Sequence, residues 1–321
     1  MHNNDKHTFE DALKVARMYY HLDYTTEQIA GQLGVSRPTV SRLLSWAKAH
    51  GLVEFRIVDH HEHQLDLESR LETHFGIAEV KVVPILPSAG ESERLQAVTR
   101  FAAHYLGGLM QLETILSVAW GNTVAELARR LIPKPLPGVQ VVQMSGSGNS
   151  GSGITYAADI VTAFAGNYAA VSHLMPIPAY FDDPATKEAM FRERSVARIR
   201  KLALTADIAL FSIGVPNADS YIYRAGYLEK AELDRLQGEG VVGDIGTMFF
   251  RADGSADHLA INERSSGPDL ASLARHKHSI CIVAGEKKRR AVLGALHGGF
   301  MNTLIIDEPT ARSLLQSAPA A

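Results

Sequence analysis

The chain has 321 residues, of which 46% are hydrophobic and 21% are charged, and its formal net charge is −3 at pH 7. This composition predicts a globular protein with one large and one small domain. It excludes a protein that coats nucleic acid without regard to sequence, because such a coat needs an overall excess of positive charge. The single cysteine, Cys281, excludes an intrachain disulfide and favours a reducing, cytoplasmic location.

The N-terminal sequence MHNNDKHTFED is polar and predicts no signal peptide. No apolar run approaches the length of a membrane span, so we expect no membrane partner. The chain then begins with a predicted amphipathic helix over residues 9–22. We expect this helix to support the segment that follows it.

Residues 26–50 predict a helix, a tight turn and a second helix. Gly34 can adopt a positive φ and so end the first helix. Val35 is expected to plug the turn into the core. Ser36 is a favourable N-cap for the second helix, and Pro38 lies in its first turn, where a missing N–H costs little.

The second helix of this segment has an apolar inner face and a polar outer face. Its outer face and N-cap carry hydroxyl groups and two arginines at Ser36, Arg37, Thr39, Ser41, Arg42 and Ser45. Arginine can bind guanine bidentately, and hydroxyls bind phosphates. An ordinary helical hairpin is the alternative, but the turn glycine, the cap and the basic face together favour a helix-turn-helix that binds operator DNA.

A short strand over residues 52–58 is a candidate wing, in which Arg56 would meet a DNA phosphate. Residues 59–64, DHHEHQ, are predicted to form a polar hinge, followed by a helix over residues 65–75. The histidines of this hinge are not expected to bind metal, because no cysteine joins them, and we expect no cofactor. The predicted domains are a winged helix-turn-helix (1–60), a linker helix (61–76) and an effector domain (77–321).

Beyond residue 77 the sequence alternates between short apolar strands and helices. Strands are predicted at 80–83, 115–120, 139–144, 169–175, 208–213, 280–283 and 303–306. Helices are predicted at 91–110, 123–131, 156–164, 184–204, 230–237, 287–297 and 309–316. Because the strands are apolar on both sides, the pattern predicts an α/β fold with a mostly parallel sheet covered on both faces.

Ligands of open parallel sheets bind beyond the carboxyl ends of the strands, so the loops there are the candidate effector site. In the first loop, Gly121, Asn122 and Thr123 stand at a helix start that favours a phosphate. The second loop, SGSGNSGSG at residues 145–153, is either a flexible linker or a ligand-cradling loop. Its position between a strand and a helix favours the cradle.

In the third loop, AGEKKRR, a glycine precedes basic residues at a helix start, where the helix dipole does not favour cations. Either an anion binds there or these residues are solvated. We expect Lys288 to face an anion and the neighbouring basic residues to lie on the surface. Arg224 could clamp a phosphate or a hydroxyl. Asp244 could accept from sugar hydroxyls or cap a turn between two glycines.

Several blocks along the chain together form a recognisable pattern: ARMYYHLDYTTEQIAGQLGVSRPTVSRLLSWAKAHG, SVAWGNT, VVQMSGS, ALFSIG, RAGYL, VVGDIGTMFF, AGEKKRRAVLGAL and NTLIIDEPTARSLL. Through them nearly the full length of the chain resembles bacterial sugar-responsive transcriptional regulators of the SorC family. Within that family the resemblance is greatest to the deoxyribonucleoside-operon repressors of the DeoR type.

The resemblance implies a winged helix-turn-helix joined to an effector domain with the fold of glucosamine-6-phosphate deaminase and ribose-5-phosphate isomerase, without their activity. It also implies a homo-oligomer, a dimer of dimers, and a phosphorylated sugar effector that changes the affinity for operator DNA. Several residues match effector-contacting positions of the family: Asn122, Thr123, Ser145, Gly146, Ser147, Arg224, Asp244 and Lys288.

One departure from the family pattern concerns the chemistry of the effector site. Members that respond to deoxyribose phosphate carry a lysine after the VVQ-apolar motif, where it forms a Schiff base with the sugar. This chain has Ser145 there, and serine cannot form an imine. We therefore expect a phosphosugar to bind without a covalent bond.

The leading hypothesis is a repressor of a sugar or nucleoside catabolic operon whose operator affinity depends on a phosphosugar. A phosphosugar isomerase or deaminase with an appended DNA-binding domain is the alternative, in which Asp244 and Lys288 would act as acid and base. No histidine–carboxylate pairing in the candidate loops favours that enzyme. A third hypothesis is a DNA-binding protein that has lost its effector.

Overall fold

The computed structural model of the chain describes residues 3–53, 60–86, 88–147, 156–224 and 226–316. The chain separates into two compact units, residues 1–60 and residues 61–321. The wing strand was predicted over residues 52–58; residues 52 and 53 are not in a strand, and residues 54–58, with Arg56, lie outside the described residues.

The first unit contains three helices, α1 (Asn3–Tyr20), α2 (Thr26–Leu33) and α3 (Arg37–Ala49). Their apolar faces meet in one core, whose fully buried members include Val15, Ile29 and Val40. Helical spacing of the apolar residues therefore assembles the predicted helix-turn-helix with its supporting helix.

Local interactions fix the turn between α2 and α3. The Thr25 side chain accepts from the backbone N–H of Gln28, and the Gln28 side chain accepts from that of Thr25, which makes a capping box. Gly34 ends α2 in the left-handed region, with φ of 63°. Val35 was expected to plug the turn, but it is 37% exposed, because the backbone that leaves the left-handed glycine turns its side chain outward.

The second unit is built on a seven-stranded parallel sheet, which confirms the predicted α/β fold. Its strands are β1 (Glu79–Val83), β2 (Ile115–Val118), β3 (Gln140–Gln143), β4 (Val171–His173), β5 (Ile208–Ser212), β8 (His278–Val283) and β9 (Thr303–Asp307). The strand order is β1-β9-β8-β5-β2-β3-β4. β6 (Val241–Ile245) and β7 (Met248–Arg251) form a separate antiparallel hairpin that the sequence analysis did not predict.

The helices of this unit pack on both faces of the sheet. They are α4 (His60–Phe75), α5 (Glu91–Leu109), α6 (Asn122–Ala128), α7 (Tyr156–Tyr168), α8 (Pro184–Arg192), α9 (Arg194–Leu204), α10 (Tyr221–Arg224), α11 (Lys230–Gly238), α12 (Ala260–Arg264), α13 (Leu270–Leu273), α14 (Arg289–His297) and α15 (Glu308–Leu315). Along β5, Ile208 and Leu210 belong to one core and Ala209 and Phe211 to another. Successive side chains of a strand point to opposite faces of the sheet. Because each face packs against a core, the strands are apolar on both sides.

The prediction of a polar hinge at residues 59–64 is wrong for residues 60–64, which form the first turns of α4. The physical reason is that α4 lies along the edge strand β1. Gln64 donates from its side chain to the carbonyl of Val82, and Glu68 accepts from the N–H of Val82 at 2.7 Å. Glu72 accepts from the N–H of Val80 at 2.8 Å. Polar side chains at i, i+4 and i+8 thus satisfy the open edge of the sheet.

A single helix predicted over residues 184–204 is also wrong, because α8 and α9 are separated at Glu193. This residue is extended, with φ of −62° and ψ of 132°. Asp183 caps α8 by accepting from the backbone N–H of Thr186. The break lets Phe191 at the end of α8 pack against Phe181.

The strand order creates a crevice in the middle of the sheet. The next strand of this sheet after β2 is β3, which lies on one side of β2. The next strand of this sheet after β5 is β8, which lies on the opposite side of the β2–β5 pair. β2 and β5 are neighbours, so the loops that follow them diverge to opposite sides. Parallel sheets bind ligands at such a point, beyond the carboxyl ends of the strands.

Candidate functional site

The first candidate surface is the outer face of α3. Ser36, Arg37, Ser41, Arg42 and Ser45 are exposed, and Thr39 is half-buried. The apolar residues of the same helix, Val40, Leu44 and Ala47, are buried. All six described residues of the predicted DNA-contacting set therefore lie at or beside the solvent-facing side of one helix.

Short-range contacts hold the beginning of this helix. The Ser36 hydroxyl accepts from the N–H of Thr39 at 3.4 Å and lies 2.9 Å from the Thr39 hydroxyl. Arg42 donates to the Thr39 hydroxyl at 3.4 Å. In the described part of the chain neither Arg37 nor Arg42 forms an ion pair. Their guanidinium groups are therefore available to phosphate or to guanine.

The second candidate site is a cavity of about 420 Å³ at the carboxyl ends of β2, β5 and β8. The loops after these strands bring together residues that are far apart in the sequence: Gly121, Asn122, Thr123, Ser212, Gly214, Asp244, Thr247 and Lys288. Five of the predicted effector residues thus share one cavity, namely Gly121, Asn122, Thr123, Asp244 and Lys288. Its volume suits a small organic molecule.

Lys288 is the cation of this cavity. It ends a short 3₁₀ turn, Glu286–Lys288, that follows β8 and Gly285. Its ammonium group donates to the Ser212 hydroxyl at 3.2 Å and to the Thr123 hydroxyl at 3.4 Å. An ammonium group has three protons, so it can donate to an anion while keeping these contacts. The adjacent Lys287 is exposed and pairs with Glu91 at 2.7 Å.

The N-terminus of α6 lies in the same cavity. Gly121 precedes this helix with φ of 136° and ψ of 172°, a conformation that L-residues rarely adopt. Asn122 is exposed and Thr123 is buried. The first backbone N–H groups of a helix have no partner within the helix, so they are available as donors to an anion.

Asp244 is the acid of this cavity, and only 8% of it is exposed. It lies in β6, which pairs with the end of β5 through reciprocal backbone hydrogen bonds to Gly214 of 2.9 and 3.1 Å. A Cβ atom at Gly214 would stand 2.0 Å from Asp244 Oδ1, so only glycine fits beneath this carboxylate.

A strained turn supports the Asp244 carboxylate from the other side. Thr247 has φ of 77°, which is unfavourable for a β-branched residue. Its carbonyl accepts from the hydroxyls of Tyr180 and Ser265, each at 2.9 Å. The backbone of Thr247 in turn forms a hydrogen bond with Asp244. The two hydroxyls therefore hold an unfavourable backbone conformation that directs a donor at the carboxylate.

Burial sets the electrostatics of this pair. It raises the pKa of Asp244 to about 7, although the charge of Lys288 and the hydrogen bond with Thr247 lower it. Burial lowers the pKa of Lys288, against the effects of Cys281 and Asp244. Burial also raises the pKa of Cys281 to about 12, so this thiol is a packed strand residue rather than a nucleophile. The site therefore holds an acid whose charge can change near neutral pH.

Four of the predicted effector residues are not among those that line the cavity: Ser145, Gly146, Ser147 and Arg224. Gly146 packs against the carbonyls of residues 177 and 178, and its own carbonyl accepts from the Trp120 indole at 3.0 Å. Ser145 is fully buried. The remainder of the serine-glycine loop, residues 148–153, lies outside the described residues.

Arg224 is exposed at the end of α10. Ser220 and Ile222 of the same segment line the cavity instead. Residues two positions apart in a helix point about 200° apart, so Arg224 cannot share the direction of Ile222. Its assignment as a phosphate clamp stays a prediction.

Two residues that line the cavity, Ser212 and Thr247, were not predicted from the sequence. Ser212 is the only polar residue at the carboxyl end of the apolar strand IALFS, a signal that could have identified it. Thr247 could not be identified in this way, because its importance depends on a positive φ and on contacts with distant hydroxyls.

No helix among the described residues is long and apolar enough to cross a membrane. Within the described ranges no three His, Cys, Asp or Glu side chains stand together as metal ligands would. The side chains of His60, His61 and His63 lie outside what the structure describes.

Comparison with known families gives two matches. A family model of a sugar-binding domain matches residues 59–316, and a model of a homeodomain-like domain matches residues 6–55. The first match contains every residue that lines the cavity, and the second contains α2, α3 and α1 from residue 6 onward.

Comparison with characterised proteins and solved structures agrees with these matches. The deoxyribonucleoside regulator of Bacillus subtilis is 35% identical to this chain over 97% of the chain and 99% of its own length. The crystal structure of the full-length sorbitol operon regulator SorC of Klebsiella pneumoniae is 30% identical, with a TM-score of 0.71 over 96% of this chain and 99% of its own. A domain of "a possible sugar-binding transcriptional regulator" from Arthrobacter aurescens TC1 is 40% identical, with a TM-score of 0.73 over 78% of this chain and 97% of its own.

Proposed function

Because the chain belongs to the SorC family of sugar-binding transcriptional regulators, we propose that a phosphorylated sugar in the cavity controls how tightly α3 binds operator DNA. The chain is a helix-turn-helix regulator with a sugar-binding domain. The proposal concerns its effector, the direction of its regulation and its assembly.

The observation that carries the proposal is the position of Lys288. The Lys288 ammonium group is partly buried in the cavity, and its hydrogen-bond partners among the described residues are the neutral hydroxyls of Ser212 and Thr123, which favours an anionic ligand. The N-terminus of α6 adds backbone donors beside it. A phosphate group can accept from both sets of donors, whereas a neutral sugar would carry no charge to pair with the ammonium group.

Asp244 is suited to the sugar end of the ligand. An ionised carboxylate accepts hydrogen bonds and donates none, so it matches sugar hydroxyl groups. Gly214 and Thr247 hold it from two sides. A ligand that combines a phosphate with hydroxyls would therefore use Lys288 and Asp244 together.

We propose no covalent bond between the sugar and residue 145. Ser145 has no amine with which to form an imine with an opened sugar. Binding therefore rests on hydrogen bonds and charge.

For DNA, the proposal assigns base and phosphate contacts to the exposed side chains of α3, above all Arg37 and Arg42. We infer repression of a sugar or nucleoside catabolic operon, relieved by the phosphosugar. The B. subtilis relative is named a deoxyribonucleoside regulator and the K. pneumoniae relative a sorbitol operon regulator, which supports this class of operon. We further propose a homo-oligomer, a dimer of dimers, that acts in the cytoplasm.

An enzymatic role for Asp244 and Lys288 is the competing proposal. The relatives are named as regulators, which supports ligand binding without turnover. Incubation of the purified protein with phosphopentoses and aminohexose phosphates, followed by chromatography of the sugars, distinguishes the two. Turnover at a rate that falls in Lys288→Met would favour the enzyme.

The experiment that tests the proposed function is fluorescence anisotropy of the full chain on DNA from upstream of its own gene. Phosphorylated and free pentoses, deoxypentoses, hexoses and polyols are added at fixed salt, because salt alone changes DNA affinity strongly. We expect one phosphosugar to release the DNA and its unphosphorylated form to have no effect. DNA binding that no sugar changes would contradict the effector proposal and leave the assignment of α3 intact.

A further inference from the structure

A second cavity, of about 90 Å³, lies between α9, β2 and residues 266–276. It is distinct from the first cavity, since no residue lines both. Its volume holds several water molecules or one small ion, but it is too small for a phosphosugar. Polar side chains that line it include Ser117, Arg200, Asp269 and His276.

Arg200 carries a positive charge that no described residue neutralises. Its guanidinium carbon stands 3.5 Å from the centre of the Phe191 ring, so one face of the group is covered. Burial lowers the pKa of Arg200, and within the described ranges it has no ion-pair partner. The neighbouring charge is another cation, Lys187, whose pKa is lowered by burial and then by Arg200. Charged groups that are partly removed from water are stabilised by an opposite charge. The Arg200 guanidinium is therefore suited to bind an anion.

Ser117 is a second polar group of this cavity that lacks a partner among the described residues. It is 1% exposed, and among the described residues its hydroxyl has no hydrogen-bond partner. Buried hydroxyls are nearly always paired with protein or a bound molecule. A hydroxyl can donate one hydrogen bond, which an oxyanion would accept.

The other polar side chains of this cavity have hydrogen-bond partners in the protein. The Ser266 hydroxyl accepts from the N–H of Gly146 and donates to the carbonyl of Ala179. Both ring nitrogens of His276 face carbonyl oxygens, those of Leu273 at 2.8 Å and Ala203 at 3.1 Å. The Asp269 carboxylate caps α13. The two groups left to select a ligand are therefore a guanidinium and a hydroxyl.

We propose that this second cavity binds a small tetrahedral oxyanion, such as inorganic phosphate or sulfate, between Arg200 and Ser117. The guanidinium supplies charge and a planar set of donors that matches two oxygens of such an anion. The Ser117 hydroxyl donates to a third oxygen. The bound anion would satisfy both groups at once.

Two successive hydrogen bonds connect the lining of the second cavity with that of the first. Gly267 lines the second cavity, and its N–H donates to the Ser265 hydroxyl at 3.0 Å. Ser265 in turn donates to the carbonyl of Thr247, which lines the first cavity. An anion in the second cavity would therefore brace the segment that holds the strained Thr247 turn.

The test uses the full chain in a Lys288→Met background, which removes the cation of the first cavity. Sodium phosphate is titrated at constant ionic strength, balanced with sodium chloride, and the thermal unfolding midpoint is followed. Arg200→Gln is added to remove the charge. Arg198→Gln, an exposed arginine on the same helix α9, is the matched control.

We expect a saturable rise of the midpoint in the Lys288→Met chain and in its Arg198→Gln derivative. The Arg200→Gln derivative should need about ten- to hundredfold more phosphate, because one charge-assisted hydrogen-bonding group is lost. If that derivative does not fold, as judged by circular dichroism, Ser117→Ala carries the same test. That substitution removes only a hydroxyl and should weaken binding about tenfold or less.

Three results would overturn all or part of the proposal. One is the absence of any phosphate-dependent rise in the Lys288→Met chain beyond the rise given by chloride. The second is an equal rise with and without Arg200, which would make the effect one of salt on the whole protein. An effect of acetate equal to that of phosphate would overturn the choice of a tetrahedral ion.

Discussion

The adjacent Lys287 and Lys288 have different contacts because their side chains leave the backbone in different directions. Lys288 lies in the first cavity and donates to Ser212 and Thr123, whereas Lys287 is exposed and pairs with Glu91. An exposed ion pair contributes little to stability, while a cation inside an enclosed cavity interacts strongly with a bound anion. The same residue type at successive positions therefore has two different roles.

Substitution of Lys288 by Met should abolish the response to the phosphosugar while DNA binding persists. We expect the affinity for the phosphosugar to fall at least tenfold, because a charge-assisted contact is worth about 1.5–3 kcal/mol. Isothermal titration calorimetry with the effector found by anisotropy measures this. Lys277→Met, at an exposed lysine that does not line the cavity, is the matched control and should bind within about twofold of the unchanged protein. Equal loss in both variants would contradict the assignment of Lys288.

Asp244 should make the stability of the protein depend on pH. Its pKa of about 7 in the folded chain exceeds the ordinary value of 3.8, so between these pH values the folded chain keeps a proton that the unfolded chain releases. The free energy of unfolding should therefore fall as pH rises from 4 to 7. Asp244→Asn removes this loss and should gain roughly 1–4 kcal/mol over the unchanged chain between pH 4 and pH 8.

Urea unfolding midpoints at pH 4.5, 6 and 8 measure this difference. Asp257→Asn is the control, since Asp257 is exposed. A constant difference between Asp244→Asn and the unchanged chain at all three values would show that the carboxylate does not titrate in this range.

At the scale of elements, the turn between α2 and α3 depends on one backbone conformation. Gly34 has φ of 63°, whereas Gly31 lies within α2. A Cβ atom at either position would meet nothing within 4 Å. The two sites therefore differ in backbone conformation and not in packing.

Gly34→Ala and Gly31→Ala should change stability in opposite directions. At Gly34 an alanine must adopt the left-handed region, which costs about 1–2 kcal/mol. At Gly31 alanine should stabilise the helix by up to about 1 kcal/mol. Thermal unfolding of the two variants measures both effects, and destabilisation of the same size in both would show that steric contact rather than φ decides.

The recognition role of α3 is tested through Arg42, which is exposed on its outer face. Arg42→Ala should weaken operator binding by about 1–3 kcal/mol if it contacts a guanine, and leave phosphosugar binding unchanged. Anisotropy with operator and scrambled DNA at several salt concentrations separates base from phosphate contacts. Lys14→Ala, an exposed cation on α1, controls for the loss of one charge. Unchanged operator affinity in Arg42→Ala would exclude it from the interface.

At the scale of the whole molecule, regulation requires that effector and operator prefer different states of the protein. Linkage makes the coupling reciprocal, because the factor by which the sugar changes operator affinity must equal the factor by which operator changes sugar affinity. We expect a factor of about 5–150. Anisotropy with and without sugar, and calorimetry with and without operator, measure the two factors. A sugar that binds with the same affinity in both cases would not be the effector.

The sequence alone determined the features that local chemistry decides. The N-cap at Ser36, the glycine turn at Gly34 and the apolar spacing of α1 to α3 each depend on residues a few positions apart. The apolar strands that alternate with helices likewise indicated the parallel sheet. Periodicity therefore predicted the fold class, and two of the three predicted strand-end loops, at residues 121–123 and at Lys288, contribute to the cavity.

Tertiary structure alone decided which loop residues meet. Ser212 ends β5 and Thr123 lies in the first turn of α6 after β2, and only the adjacency of β2 and β5 brings them to Lys288. The break at Glu193, the α4 contacts with β1 and the strained Thr247 turn also depend on distant partners. Such contacts leave no periodic signal in the sequence, because the partner that stabilises each of them is far away along the chain.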